Sequence, residues 1–239
     1  APANELSQAI ARSLLGGERK AVLLGNAAAH HAQATQLLAL ANWIAENTGA
    51  TVGYLTEAAN TVGAQFAGAH PVNGGLNAAQ MLSGGLKAAL LLNTEPVHDS
   101  VAGAQAATAL SVAEMVVTLS PFKANMAFSD VLLPIAPFTE TSGSFVNAEG
   151  RLQSFHAVVR PLGDTRPAWK VLRVLANLLG VPGYDFETSQ DVLPRATNAP
   201  PGTLAPLTVS QLSNAVKTVP AAPAGAGEPV VASIYQLDG

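Results

Sequence analysis

The sequence contains no cysteine, which excludes a disulfide, a thiolate zinc site, an iron–sulfur cluster and a cysteine nucleophile from this chain. The absence is compatible with a reducing compartment. Charge is also scarce: Asp, Glu, Lys and Arg make up 12% of 239 residues, about half the usual share of roughly 25%. Hydrophobic residues nevertheless reach 49%, so a core can be buried, and a disordered chain, which combines low hydrophobicity with high charge, is excluded. The net charge of −4 excludes a dedicated nucleic-acid binder, which needs a cationic surface. No apolar run approaches the roughly 18 residues of a membrane helix. The opening Ala1-Pro2-Ala3-Asn4-Glu5 has no basic region followed by an apolar stretch, so no signal peptide is read there. It also has no initiating methionine, and we read it as the start of a processed chain or of a piece of a longer one.

What charge there is lies unevenly. Between Lys20 and Lys87 only Glu46 and Glu57 are charged. Either much of this stretch is buried, in its own core or against neighbouring protein, or it covers its surface with Ala, Gln, Asn and Thr. From Arg151 to Arg173 the balance reverses, with Arg151, Arg160, Arg166, Lys170 and Arg173 against Asp164 alone. A solvated face accounts for that run better than an anion site.

Short apolar runs alternate with helical patterns. Residues 20–26 and 51–55 read as strands, and between them Leu37, Leu40, Ala41 and Ile44 form one helical stripe that ends at Gly49. Residues 57–75 read as a long loop, followed by a helix around 77–82. Lys87–Asn93 is the clearest buried strand. Asp99 and Ser100 are N-cap candidates for a helix running to Leu110. Met115–Leu119 and Val131–Pro134 read as further strands, with a short helix after Ser120-Pro121, and 152–159 as extended. Thr165-Arg-Pro167 opens a helix with Trp169, Leu172, Leu175 and Leu179 on one face. Continuous apolar strands alternating with helices predict an α/β fold, a Rossmann-like, doubly wound and mainly parallel sheet. This α/β region is expected over 1–193, a Pro/Ala-rich linker over 194–229, and a terminal strand or truncated segment over 230–239.

Most familiar chemistry is missing. The turn Gly25-Asn-Ala-Ala-Ala-His-His31 has a single glycine and fails the G-x-G-x-x-G dinucleotide pattern. No phosphate loop is present, and Ser142-Gly143-Ser144 lacks the flanking glycines of a nucleophile elbow. His30 and His31 are adjacent, with no carboxylate close in sequence, so a turn role explains them better than metal ligation. His98-Asp99-Ser100 cannot form a catalytic relay between sequence neighbours. No catalytic residue and no metal ligand is assigned. Two loops carry more weight. Asn93-Thr-Glu-Pro96 follows the strongest strand, where ligands of such sheets bind. Thr139–Gln153 is dense in hydrogen-bonding groups. Its structural reading is a hairpin held by a buried Glu149–Arg151 ion pair, whose loss would cost a few kcal/mol.

The second loop carries a family resemblance. Ser129-Asp-Val-Leu-Leu-Pro134, Thr139-Glu140 and Gly143-Ser-Phe-Val-Asn-Ala-Glu-Gly-Arg-Leu-Gln153 resemble a signature of the molybdopterin oxidoreductase superfamily. Leu86-Lys-Ala-Ala-Leu-Leu-Leu-Asn-Thr-Glu-Pro96 and Asp164-Thr-Arg-Pro-Ala-Trp169 resemble its preceding strand and its following helix start. The likeness spans about residues 20–180. Within the superfamily, Pro137–Arg151 resembles the large iron–sulfur subunit of bacterial NADH:quinone oxidoreductase, respiratory complex I.

That resemblance implies a C-terminal, non-catalytic scaffold with no cofactor of its own. Iron–sulfur clusters would sit in an N-terminal part, and electrons would pass from NADH to quinone outside this segment. The implied partners are other subunits of the complex I peripheral arm, on the cytoplasmic side of the inner membrane. Asn93, Glu95, Asn147, Glu149 and Arg151 would be vestigial pterin-site positions. The alternative is a fragment of a catalytic molybdopterin-dependent oxidoreductase such as a formate dehydrogenase, with Asn93, Asn147, Glu149 and Arg151 lining a pterin site. Glu95 argues against it, since a carboxylate repels the cofactor's phosphates. A third reading is an α/β ligand-binding domain unrelated to redox chemistry.

Overall fold

Asn4 accepts the Ser7 N–H at 2.8 Å and so satisfies a free donor at the start of helix α1, Glu5–Gly16. We describe residues 4–100 and 102–197 of the chain from a computed structural model. The expected linker and terminal strand beyond Thr197 lie outside the described residues.

Strand β1, Ala21–Leu24, leads through the single-turn helix α2, Asn26–Ala29, to α3, Ala34–Thr48. That helix ends at Gly49 with φ +71°, the left-handed cap that a side chain resists. Strand β2, Thr51–Tyr54, returns parallel to β1 with Ala21 opposite Thr51. The expected loop after it contains a short helix α4, Thr61–Phe66. Helix α5, Ala78–Leu82, starts from a reciprocal capping box between Asn77 and Gln80.

Strand β3, Ala88–Leu92, is followed by α6, Pro96–Asp99, and α7, Gly103–Ser111. Strands β4, Met115–Ser120, and β5, Val131–Pro134, complete a parallel sheet in the order β3-β4-β5. The antiparallel strands β6, Gly143–Val146, and β7, Leu152–Phe155, form a hairpin. Helices α8, Ala168–Leu178, and α9, Ser189–Thr197, follow. The architecture is an α/β, Rossmann-like arrangement of parallel strands and helices, as the strand and helix alternation requires.

The core gathers on β4, whose Val116 and Leu119 are fully buried, with Ala106, Leu110 and Ile135 in the same buried set. The Asp130 carboxylate accepts the Val116 N–H at 2.7 Å and closes the start of that strand. Strand β3 departs from the fully buried reading. Leu90 is 52% exposed, because β3 is an edge strand of its sheet and alternates its side chains between a covered and an open face. The Asp99 and Ser100 capping expectation is also revised. Asp99 accepts backward from the Glu95 N–H at 2.6 Å, and Ser100 Oγ accepts from the Ala102 N–H at 3.1 Å ahead of α7.

Leu119→Ala is therefore expected to lower stability by about 2–5 kcal/mol, through lost burial and a cavity. Leu90→Ala, on the open face, should cost less than about 1 kcal/mol. Urea unfolding of both variants measures the contrast.

Candidate functional site

The carboxyl end of a parallel strand leaves N–H and C=O groups without ladder partners, and the loops that satisfy them build ligand sites. At the end of β3, Asn93 takes a left-handed φ of +49°, which its short polar side chain tolerates, while its N–H donates to Leu119 C=O at 2.8 Å. The chain thereby turns from β3 into α6. Glu95 then faces the end of β4, where its Oε1 accepts the Ser120 hydroxyl at 2.5 Å. Ser120 Oγ also accepts the Phe122 N–H at 3.0 Å, so a hydroxyl braces the bend where a helix start was expected. The helical turn itself comes later, at Ala124–Ala127.

Asn125 is 1% exposed. Its Nδ2 donates to Thr94 C=O at 2.9 Å, while its Oδ1 is buried without a partner. The end of β3 thus collects acceptors: the Glu95 and Asp99 carboxylates and an unsatisfied carboxamide oxygen. Of these, the carboxylates can meet a donor-rich ligand edge, whereas Asn125 Oδ1 is enclosed in the protein.

The β6–β7 hairpin is tied by Asn147. Its Oδ1 accepts the N–H groups of Glu149 at 3.1 Å and Arg151 at 2.8 Å, and Gly150 turns the chain at φ +80°. Glu149 and Arg151 are both exposed, and among the described residues the ion pair found is His30–Glu57. The expected buried Glu149–Arg151 bridge is therefore corrected. One carboxamide already closes the turn, so the charged side chains are left to solvent. Phe145 and Phe155 pack edge to face at 5.2 Å on the same hairpin.

Asn60 links this hairpin to the loop that follows β2. Its Oδ1 accepts the Val146 N–H at 2.9 Å, and a Cβ on Gly63 would fall 2.0 Å from that oxygen. In the same loop, Glu57 Oε2 lies 2.6 Å from His30 Nε2, joining the segments after β1 and β2. His31 Nδ1 accepts the Gln33 N–H at 2.9 Å, in keeping with its turn role. The predicted site residues thus fall in two places: Asn93 and Glu95 at the end of β3, and Asn147, Glu149 and Arg151 on the hairpin. No hydrogen bond or ion pair among the described residues joins the two sets. Asn60 and Asn125 were not singled out from sequence, since each is a common residue in an otherwise featureless stretch, and Ser120 was read only as a helix start. No group of three or more His, Asp or Glu side chains among the described residues is arranged to hold a metal. No helix among them is long and apolar enough to cross a membrane.

In α/β folds the loops at strand ends are where ligands commonly bind. Residues 1–178 match the sequence profile of the molybdopterin oxidoreductase family, and the chain belongs to that family. It is 38% identical over 74 residues to the Bacillus subtilis protein named "Probable oxidoreductase YjgC", covering 31% of this chain and 7% of that protein. It is 43% identical over 53 residues to a Staphylococcus aureus protein named "Putative formate dehydrogenase", covering 22% of this chain and 5% of that protein. The matched stretches are thus a small fraction of these relatives' length.

These relatives overturn the reading as a complex I scaffold, because they bear the names of an oxidoreductase and of formate dehydrogenases. The attributes that came with it, an iron–sulfur subunit of an NADH dehydrogenase acting on quinone, fall too. A cluster needs thiolates, and this chain has none.

Two outcomes are expected. Asn147→Ala should destabilise by about 1–2 kcal/mol, since two hairpin N–H groups lose their acceptor. Arg151→Ala should stay within about 0.5 kcal/mol of the parent, as for other exposed side chains; chemical denaturation separates them. At the start of α9, the N–H groups of Thr188 and Glu187 donate to Asp191 Oδ2. The Thr188 bonds first, then that from Glu187, hold the Asp191 carboxyl below its ordinary value. A depressed folded-state value means that the carboxylate supports α9 above its unfolded value, and that this support is lost as pH falls through the folded one. NMR titration should find Asp191 titrating below 3.8, and returning toward it when Thr188→Ala removes the hydroxyl.

Proposed function

We propose that the chain is a cofactor-cradling α/β segment of a molybdopterin-dependent oxidoreductase of the formate dehydrogenase type. The observation that carries this reading is the family match over residues 1–178, supported by the identities to proteins named as formate dehydrogenases. A pterin presents a ring edge rich in N–H donors. The Glu95 carboxylate at the end of β3 is an acceptor of the complementary chemistry. Asn93 shapes that turn, and Asn147, Glu149 and Arg151 form the hairpin face of the proposed site. When bound, the group supplies the redox centre that takes electrons from substrate. The residues of this chain bind and orient it.

The objection that Glu95 repels phosphates weakens in this arrangement. Its carboxylate is oriented by the Ser120 hydroxyl, and it would meet the ring edge in place of the phosphates. On this reading Asn93 and Glu95 contribute a working contact at the strand end, and the hairpin residues a second one, in place of a vestigial pocket.

The test uses the complete protein. Purified from molybdate-supplied cells, it should contain molybdenum or tungsten and pterin, and should reduce an artificial electron acceptor with formate. Glu95→Gln should lower cofactor occupancy by about tenfold, the loss of one charge-assisted hydrogen bond. Protein without pterin that still folds and is stable would refute the proposal.

A further inference from the structure

Away from the strand ends, a cleft of about 450 Å³ opens between the segments that flank the hairpin and the start of α8. Arg160, Arg166 and Lys170 line it together with the Trp169 indole, and Glu140 is the one carboxylate in its wall. Glu140 is already engaged, its Oε2 accepting the Leu162 N–H at 3.0 Å. The Arg166 guanidinium donates to the C=O groups of Thr165 and Gly163, at 2.7 and 3.4 Å, from the same nitrogen. The Lys170 ammonium lies 5.4 Å from the centre of the Trp169 ring.

No Lys or Arg among the described residues is in an ion pair, so the cleft holds three cations against one carboxylate. The whole chain has only 12 Lys and Arg and a net charge of −4. Converging like charges repel unless an anion sits among them. None of Asn93, Glu95, Asn147, Glu149 or Arg151 lines this cleft, so it is separate from the proposed cofactor positions.

We propose that this cleft binds a small phosphate monoester. Guanidinium and ammonium groups supply charge-assisted bonds to phosphate oxygens. The volume exceeds what a bare phosphate fills and lies in the range of small-ligand pockets, and the Trp169 and Pro167 walls offer apolar surface to the rest of the molecule.

Trp169 makes the proposal directly readable. The other tryptophan of these 239 residues, Trp43, is 60% exposed, and subtracting the emission of a Trp169→Phe variant isolates the Trp169 signal. AMP added to the complete protein should change that Trp169-dependent emission saturably. Adenosine at the same concentrations should not, and inorganic phosphate should compete with AMP at lower affinity. Arg160→Gln and Lys170→Gln, both at exposed positions, should each weaken AMP about tenfold with an unchanged circular dichroism spectrum. The proposal is overturned if AMP gives no saturable change, if adenosine matches AMP, if phosphate binds as tightly as AMP, or if both Gln variants bind AMP like the parent. The readout needs neither molybdenum nor turnover, so its failure leaves the oxidoreductase reading untouched, and the reverse holds as well.

Discussion

Strand β4 is hydrogen-bonded along both edges, to β3 and to β5, and the rest of the described architecture depends on that placement. A strand paired on both sides and covered on its faces must be apolar or internally hydrogen-bonded there, as Val116, Leu119 and the Ser129-bonded Thr118 are. Its ends must still satisfy backbone groups. At one end the Asp130 carboxylate takes the Val116 N–H; at the other the Ser120 hydroxyl takes the Phe122 N–H and donates to Glu95. The burial that stabilises the sheet and the polar cluster at its carboxyl end are therefore two consequences of one strand.

Buried polar groups elsewhere on this sheet follow the same logic. Thr118 and Ser129 share a hydrogen bond of 2.7 Å, and Ser129 reaches on to Asn125 C=O at 2.8 Å. These bonds pin the turn that carries Asn125, whose Nδ2 is committed to Thr94. Asn125 Oδ1 is the remainder of that network. A buried carboxamide oxygen without a donor costs free energy, and the surrounding bonds hold it in place because its other half is needed to fix the loop before Glu95.

The parts legible in the sequence were those set by local patterns. The strands at 21–24, 51–54, 115–120 and 131–134 and the left-handed stop at Gly49 follow from apolar runs and a single glycine. Edge position is not a local property, so Leu90 and Leu92 read as buried although they face outward. The hairpin motif was legible as a motif, but its bonding was not. Sequence spacing suggests an ion pair between Glu149 and Arg151, whereas the turn is closed through their backbone N–H groups by Asn147 and both side chains are exposed. Asn60 could not be found at all, because its partner Val146 lies 86 residues away.

The low charge of the chain takes on a physical meaning once exposure is known. Within the charge-poor stretch, Leu40, Trp43 and Leu55 are all more than half exposed, so the missing charges are not explained by a deep core of its own. Small and apolar side chains cover that surface, where removal of water costs little. The basic run behaves in the opposite way. Three of its cations, Arg160, Arg166 and Lys170, collect beside Trp169 at the start of α8, where the first N–H groups of a helix of 11 residues add a positive end to the local field. Positive charge is thus sparse across the molecule and gathered at a cleft, while the end of β3 gathers the Glu95 and Asp99 carboxylates with hydroxyl and carboxamide partners. Two surfaces of different chemistry follow from that division: one presents acceptors at a strand end, and the other presents cations.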